Sequence, residues 1–197
     1  MRVIAGKFHG LPLKPVPGRN TRPTGAKVKE SIYNILAAHC SQMHYGLDLF
    51  AGTGALGIEA VSRGVEQMYL VDKNYAAIKT IQANIQKTHA AAAFILWKMT
   101  AQQALDKLNT LATPLDLLIL DPPYVMHVNL DIIRQCVQQQ LLAPHAFIII
   151  ETNYDLSQQR PSNFSCIASK KYGQTFVEIW RFEGRINVKN RTLCRQF

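Results

Sequence analysis

Two clusters in this chain have residue types and spacings that could do chemistry. In Leu47 to Glu59, LDLFAGTGALGIE, a short apolar run holding one charge, Asp48, stops at Gly52 and Gly54, and Leu56, Ile58 and Ala60 then fit a helix. The pattern predicts strand, glycine turn, helix. Gly52 and Gly54 let backbone approach a ligand, and Gly57 lets the helix sit close to its strand. The helix N-terminus adds unpaired N–H groups. A pyrophosphate needs no carboxylate beside it, whereas a ligand carrying an ammonium group does, so Asp48 favours the latter. Asp72 closes the next predicted strand, Gln67 to Asp72, at 20 positions after Gly52. A carboxylate there can accept from both ribose hydroxyls, which supports an adenosine-type cofactor, dinucleotide or methyl donor alike.

The second cluster is Asp121-Pro122-Pro123-Tyr124, behind the apolar run Leu115 to Leu120. Two prolines fix the backbone and remove two N–H donors, leaving carbonyls and the Asp121 carboxylate as an acceptor-rich pocket at a strand end. Tyr124 offers an aromatic face. Such a pocket suits a planar base with an exocyclic amine, oriented by the acceptors and stacked on the ring.

The elements that must position these clusters alternate in type. Val28, Ile32, Ile35 and Leu36 repeat at helical spacing, with Tyr33 on an adjacent line, and this helix is expected to end near Ser41. Helices are predicted over Tyr75 to Thr88, Gln102 to Leu108 and Leu130 to Leu142, the last ended by Pro144; strands are predicted at Ala93 to Trp97, Ala146 to Ile150, Cys166 to Tyr172 and Thr175 to Trp180. Gly173-Gln174 fits a tight hairpin between the last two. The expected fold is α/β, a seven-stranded, mostly parallel, Rossmann-like sheet with helices on both faces. Ligands would lie beyond the strands' carboxyl ends, where Gly52, Asp72 and Asp121 fall.

The glycine cluster resembles motif I of the class I S-adenosylmethionine methyltransferases, and D-P-P-Y resembles motif IV of the amino-methyltransferases, which methylate nucleobase or glutamine nitrogen. In that fold an acidic or amide side chain often meets the adenine amino group in the segment after the third strand, and Thr100 is the matching residue here.

Charge is segregated. The net charge is +9, yet residues 1–29 and 184–197 together carry +11 with no acid, leaving −2 between them. Basic ends flanking a near-neutral middle suit a polyanion held at the ends while chemistry proceeds between, with nucleic acid as partner. Candidate contacts are Arg2, Lys7, Arg19, Arg22, Thr24 and Lys27. Residues 2–13 look like two short strands joined through glycine, an N-terminal β-hairpin extension, followed by a loop through Arg19 to Thr24 stiffened by Pro23. The expected organisation is a basic extension over 1–30, a catalytic domain over 31–183 and a basic tail over 184–197.

Cys40, Cys136, Cys166 and Cys194 show no C-x-x-C pairing, so reduced thiols are expected, and the six histidines show no metal-ligand spacing. Trp97, Trp180 and Phe147 are expected in the core, and His127 in a solvated loop. No apolar run reaches the roughly 18 residues of a membrane span, and the start lacks a signal-peptide core, so a cytoplasmic protein, acting as a monomer, is expected.

A closer resemblance follows from Arg2-Val3-Ile4-Ala5-Gly6, Arg22-Pro23-Thr24 with Val28-Lys29-Glu30 and Tyr33-Asn34, the run Asp48 to Gly57, Asp121 to Tyr124, and Tyr172-Gly173-Gln174-Thr175, in that order. Residues 2 to about 183 resemble the RsmD family of small-subunit ribosomal RNA guanine-N2 methyltransferases. The resemblance implies S-adenosylmethionine as donor and S-adenosylhomocysteine as product, with no metal. The donor would be held by Asp48, Phe50, Ala51, Gly52, Thr53, Gly54, Gly57, Asp72, Lys73, Thr100 and Ala101. It implies transfer at Asp121, Pro122, Pro123 and Tyr124 to a guanine of 16S rRNA in an assembled or partly assembled small subunit. Gly25-Ala26 departs from the family, which commonly has aspartate two residues after R-P-T. Asp72 stands where glutamate is common, and the tail from Gly184 looks like an addition. A DNA amino-methyltransferase, a glutamine methyltransferase and a non-enzymatic RNA-binding assembly factor are the rival readings.

Overall fold

A computed structural model describes residues 1–18, 25–123 and 128–184. Seven strands form one sheet: β1 (Tyr45–Asp48), β2 (Gln67–Asp72), β3 (Phe94–Lys98), β4 (Leu115–Leu120), β5 (Leu142–Thr152), β6 (Phe164–Tyr172) and β7 (Thr175–Phe182). Their spatial order is β3-β2-β1-β4-β5-β7-β6. The first five pair in parallel, and β7 runs antiparallel to β5 and β6. The predicted Rossmann-like, mostly parallel sheet with its terminal hairpin is what the chain forms. The chain moves outward from β1 to β3 and returns to β4 on the other side of β1. That reversal opens a crevice at the carboxyl ends of β1 and β4, the place where such sheets bind ligands.

Alternation within strands sends successive residues to opposite faces. Met68 and Leu70 enter a layer with α1 (Ala26–Leu36), α2 (Ala55–Ser62) and α3 (Tyr75–Lys87), whereas Tyr69 and Val71 enter the layer under α4 (Ala101–Leu111) and α5 (Asn129–Gln138). Central strands buried on both sides explain their near-continuous apolar runs. Trp97, Trp180 and Phe147 are core residues, as expected.

Two expectations are corrected. The predicted helix over Leu130 to Leu142 stops at Gln138, and Pro144 lies inside β5 rather than ending a helix. Gln140 takes a left-handed backbone (φ 57°), and the Leu141 N–H donates to the Cys136 carbonyl at 2.9 Å while the Gln140 N–H donates to Val137 at 3.2 Å. This is a Schellman ending without its usual glycine. Leu142 then pairs with Leu115, and a register shift before Leu117↔Phe147 leaves the intervening residues, Pro144 among them, bulged out of the ladder, where proline's missing N–H costs nothing.

The two short strands expected at the N-terminus shrink to a single antiparallel bridge, Arg2↔Pro12, while the hairpin pairing itself is present: the N–H groups of Val3, Gly10 and Leu13 donate to the carbonyls of Leu11, Val3 and Met1, each at 3.0 Å. The N–H groups of Ile4 and Ala5 donate to the Glu59 carboxylate at 2.8 and 3.0 Å. Lys7 N–H reaches the Ser62 carbonyl at 2.8 Å, and Phe8 N–H reaches its hydroxyl at 2.9 Å. The segment is therefore laced both to itself and to α2. Gly6 sits at the closest approach, at φ 82°, where a Cβ would overlap the Ser62 carbonyl. Gly6→Ala is expected to unseat this segment and lower stability by about 2 kcal/mol or more. An unchanged melting curve would show the contact to be unimportant.

No helix among the described residues is long and apolar enough to cross a membrane, and no group of His, Cys, Asp or Glu among them could hold a metal. Cys40, Cys136 and Cys166 are free thiols; burial pushes Cys136 up to about 12.

Candidate active site

The crevice at the β1/β4 reversal is a cleft of about 850 Å³. Its floor is Asp48, Leu49, Phe50, Ala51, Gly52 and Thr53, where β1 runs into α2. Gly52 is at φ 54° and Gly54 at φ 76°, so both turn residues use conformations closed to most side chains. Gly54 caps α2, and Gly57 stands behind the cleft, where a Cβ would overlap Leu70. Gly57 lets the helix lie against its sheet, Gly54 makes the turn into it, and neither lines the cavity.

Asp48 is 1 % exposed, and among the described residues its Oδ1 has no hydrogen-bond partner. Burial pushes its carboxyl up to about 7; the Phe50 and Gly57 N–H groups oppose this, and the nearby Asp72 charge adds to it. A buried acceptor left open at the cleft floor is costly unless a donor arrives.

Asp72 closes β2 on the same wall. Its Oδ2 accepts from the Gly52 N–H at 3.0 Å and its Oδ1 from the Asn74 N–H at 2.7 Å. The two bonds fix the carboxylate against the glycine turn, and each oxygen keeps a further lone pair. Lys73, Thr100 and Ala101 line the rim beside it, with Met99 and Gln102. Thr100 is also the cap of α4: its hydroxyl accepts from the Gln103 N–H at 3.3 Å while the Gln103 side chain accepts from the Thr100 N–H at 2.9 Å. That capping box, readable as Thr-x-x-Gln, starts α4 at Ala101, one residue earlier than predicted.

Across the cleft lie Asp121, Pro122 and Pro123. Leu120 ends β4, and β1 pairs with β4 through Asp48↔Ile119, so Asp121 emerges close to the Asp48 end of the floor. The structure thus brings both sequence clusters into one cavity. Tyr124 and His127 lie outside the described residues, as do Arg19, Arg22, Pro23, Thr24 and the tail beyond Gly184.

Of the remaining basic candidates, Arg2, Lys7 and Lys27 are exposed. Lys29, counted among the basic residues facing a polyanion, is 2 % exposed and ion-paired with Glu59 at 2.8 Å, with a second bond to the Arg2 carbonyl at 2.8 Å. Its charge is spent inside the protein. The sequence reading passed over other cleft residues, among them Met1, Val16, Val128, Asp131, Gln135 and Glu151. Glu151 stands out as a lone acid at the end of IIIET.

Residues 1–181 match the family described as Conserved hypothetical protein 95. The chain belongs to this family. It is 35% identical to YlbH of Bacillus subtilis over 93% of this chain and 100% of that one. Ribosomal RNA small subunit methyltransferase D of Haemophilus influenzae is 29% identical, over 92% of this chain and 93% of its own. The solved structure of yhhF from Escherichia coli superposes with a TM-score of 0.81 at 29% identity, covering 94% of this chain and 99% of that one. The RsmD resemblance read from the motifs is borne out. The family is one of methyltransferases, and the match begins in the basic N-terminal segment and ends in β7.

Proposed function

We propose that the protein transfers a methyl group from S-adenosylmethionine to the exocyclic N2 amine of a guanine in small-subunit (16S) ribosomal RNA, within an assembled or partly assembled particle. The observation that carries this reading is the single cleft shared by Asp48, the Gly52 turn, Asp72 and Asp121-Pro122-Pro123. The name of the Haemophilus relative supports the ribosomal substrate. The donor's chemistry fits the residues present: the open Asp48 oxygen suits its ammonium group, Asp72 its ribose hydroxyls, and the rim at Lys73, Thr100 and Ala101 its adenine. Asp121 and the carbonyls beside it would hold the guanine amine so that its nitrogen lone pair faces the donor methyl. S-adenosylmethionine supplies a sulfonium methyl, whose bonding pair returns to sulfur as the N–C bond forms. A proton then leaves N2. Most of the rate would come from orientation and from acceptors placed where positive charge develops.

Residues 1–30 would hold RNA through Arg2, Lys7, Arg19, Arg22, Thr24 and Lys27, residues 31–183 would carry transfer, and the basic tail over 184–197 would add to the RNA footprint. The protein would act as a monomer in the cytoplasm. The test is transfer of labelled methyl to unmethylated small-subunit particles, naked 16S rRNA and DNA, with nucleoside analysis. N2-methylguanosine in the particle is expected; label in DNA, or none despite donor binding, would overturn the ribosomal reading.

A pH dependence follows from Asp48. With its carboxyl raised to about 7, the free protein carries a protonated Asp48 below neutrality. Pairing with an ammonium needs the ionised form, so donor binding should release a proton there, and affinity should fall up to about tenfold per pH unit below 7. The folding linkage has the opposite sense: above the unfolded carboxyl's pKa, keeping this group buried costs stability, rising to a plateau above 7. Titration calorimetry in buffers of different ionisation heat measures the proton. In Asp48→Asn the slope should vanish along with most of the affinity; an unaltered slope would remove Asp48 from the donor site.

A further inference from the structure

We propose that Glu151 selects guanine as the target base, its carboxylate accepting from N1–H and one N2–H while Asp121 accepts from the other N2–H. This rests on the assignment of transfer to guanine N2 made above.

The argument begins with register. Leu120 of β4 pairs with Ile150 of β5 in parallel, so Asp121 and Glu151 are the next residues out on neighbouring strands, about 4.8 Å apart by strand spacing. Ile119 and Ile149 both enter the layer shared with α1 and α2. Glu151, two residues beyond Ile149, points to that same side, and so does its cross-strand partner Val177. Both carboxylates line the one cleft, with Glu151 only 7 % exposed. Glu151 already has interactions within the protein, which hold it in place. An ionised carboxylate offers about four lone-pair sites, of which the base uses two.

The chemistry then chooses the base. Guanine presents N1–H and an N2–H as two parallel donors, which a carboxylate matches with its two oxygens. The remaining N2–H points toward the ring's N3 side, and a second acceptor one strand away is placed to take it. With both N2 hydrogens held in the ring plane, the nitrogen lone pair lies perpendicular to it, the direction from which a methyl must arrive. Adenine turns a bare N1 acceptor to the same edge and would meet Glu151 with like polarity. A site built this way rejects the wrong base because its own acceptor is left unpaired.

The experiment uses the full chain and small-subunit particles. Wild-type enzyme first identifies the nucleotide converted to N2-methylguanosine. Particles are then rebuilt with 2-aminopurine at that nucleotide, a base that keeps the 2-amine but has a bare N1. Wild type should lose on the order of 10²-fold in kcat/KM on this base. E151Q should lose a similar factor on guanine, chiefly in KM. Its amide can donate to N1 of 2-aminopurine, so the preference for guanine should narrow at least tenfold, with donor affinity within twofold of wild type. A merely structural role would lower both substrates together, and an unchanged preference overturns the proposal. If E151Q fails to bind donor, E151D replaces it. E151D keeps the charge one methylene further back and should turn over guanine at least tenfold more slowly with its preference kept; wild-type turnover in E151D overturns the proposal. If wild type produces no N2-methylguanosine at all, the functional reading fails first and this inference with it.

Discussion

Asp121→Ala is expected to reduce methyl transfer by about 10²–10³-fold in single-turnover kcat, the loss typical when one preorganised polar partner of the reacting group is removed. Donor affinity should stay within a few fold of wild type. The reason is positional. Asp48, the Gly52 turn and Asp72 form the β1–β2 side of the cleft and are fixed by their own bonds, among them Asp72 Oδ2 to the Gly52 N–H at 3.0 Å. Asp121 enters from the adjacent strand β4, and the two prolines that follow it hold its backbone without help from the donor. Losing its carboxylate therefore removes an acceptor for the amine and leaves the donor's contacts intact. Asp121→Asn keeps one carbonyl oxygen and should lose less. Rapid-quench transfer at saturating RNA, beside equilibrium donor binding, measures both quantities. A variant with wild-type turnover would take Asp121 out of the chemistry, and one that also lost donor binding would merge the two sides of the cleft.

The second large effect is on stability. Glu59→Gln is expected to cost about 3–5 kcal/mol, the usual loss when one partner of a buried ion pair is removed and its mate is stranded. Glu59 is fully buried and accepts from Lys29 Nζ at 2.8 Å, Arg63 Nε at 3.0 Å, and the N–H groups of Ile4 and Ala5. Four donors converge on one carboxylate, and Lys29 has no other acid within an ion pair among the described residues. The loss would be a large share of a typical domain's 5–15 kcal/mol. Burial alone would raise the Glu59 carboxyl, but the Lys29 and Ile4 hydrogen bonds, with the Lys29 charge and Arg63, bring it below its ordinary value. A lowered carboxyl contributes stability above its unfolded pKa and loses it as pH falls through the folded value. Urea unfolding at neutral and acidic pH should show wild type and Glu59→Gln converging toward the acid end. Equal midpoints at neutral pH would mean that the network holds the N-terminal segment only loosely.

These two carboxylates show how unevenly a chain reveals itself. Asp121 was legible because its chemistry is local: proline on proline behind an apolar run constrains backbone and donors within four residues. Glu59 lay in full view at the end of the glycine motif, but its partners include Lys29 and residues 4 and 5, the last two more than 50 positions away. No local pattern announces a contact of that span.

The same division runs through the fold. Strand periodicity, the Gly52 turn, the 20-residue interval to Asp72 and the D-P-P-Y step were decided by the sequence, because each follows from backbone sterics and side-chain alternation over a few residues. They sufficed to foresee the sheet and the cleft's two sides. Only the tertiary structure decided that Lys29 neutralises a buried acid instead of meeting phosphate. It also decided that Gly6 lies against Ser62, that Pro144 rides a bulge in β5, and that Glu151 stands beside Asp121. The physical reason is common to all four: burial and strand register are set by segments distant in sequence. A charge or a glycine acquires its role from whatever the fold places against it.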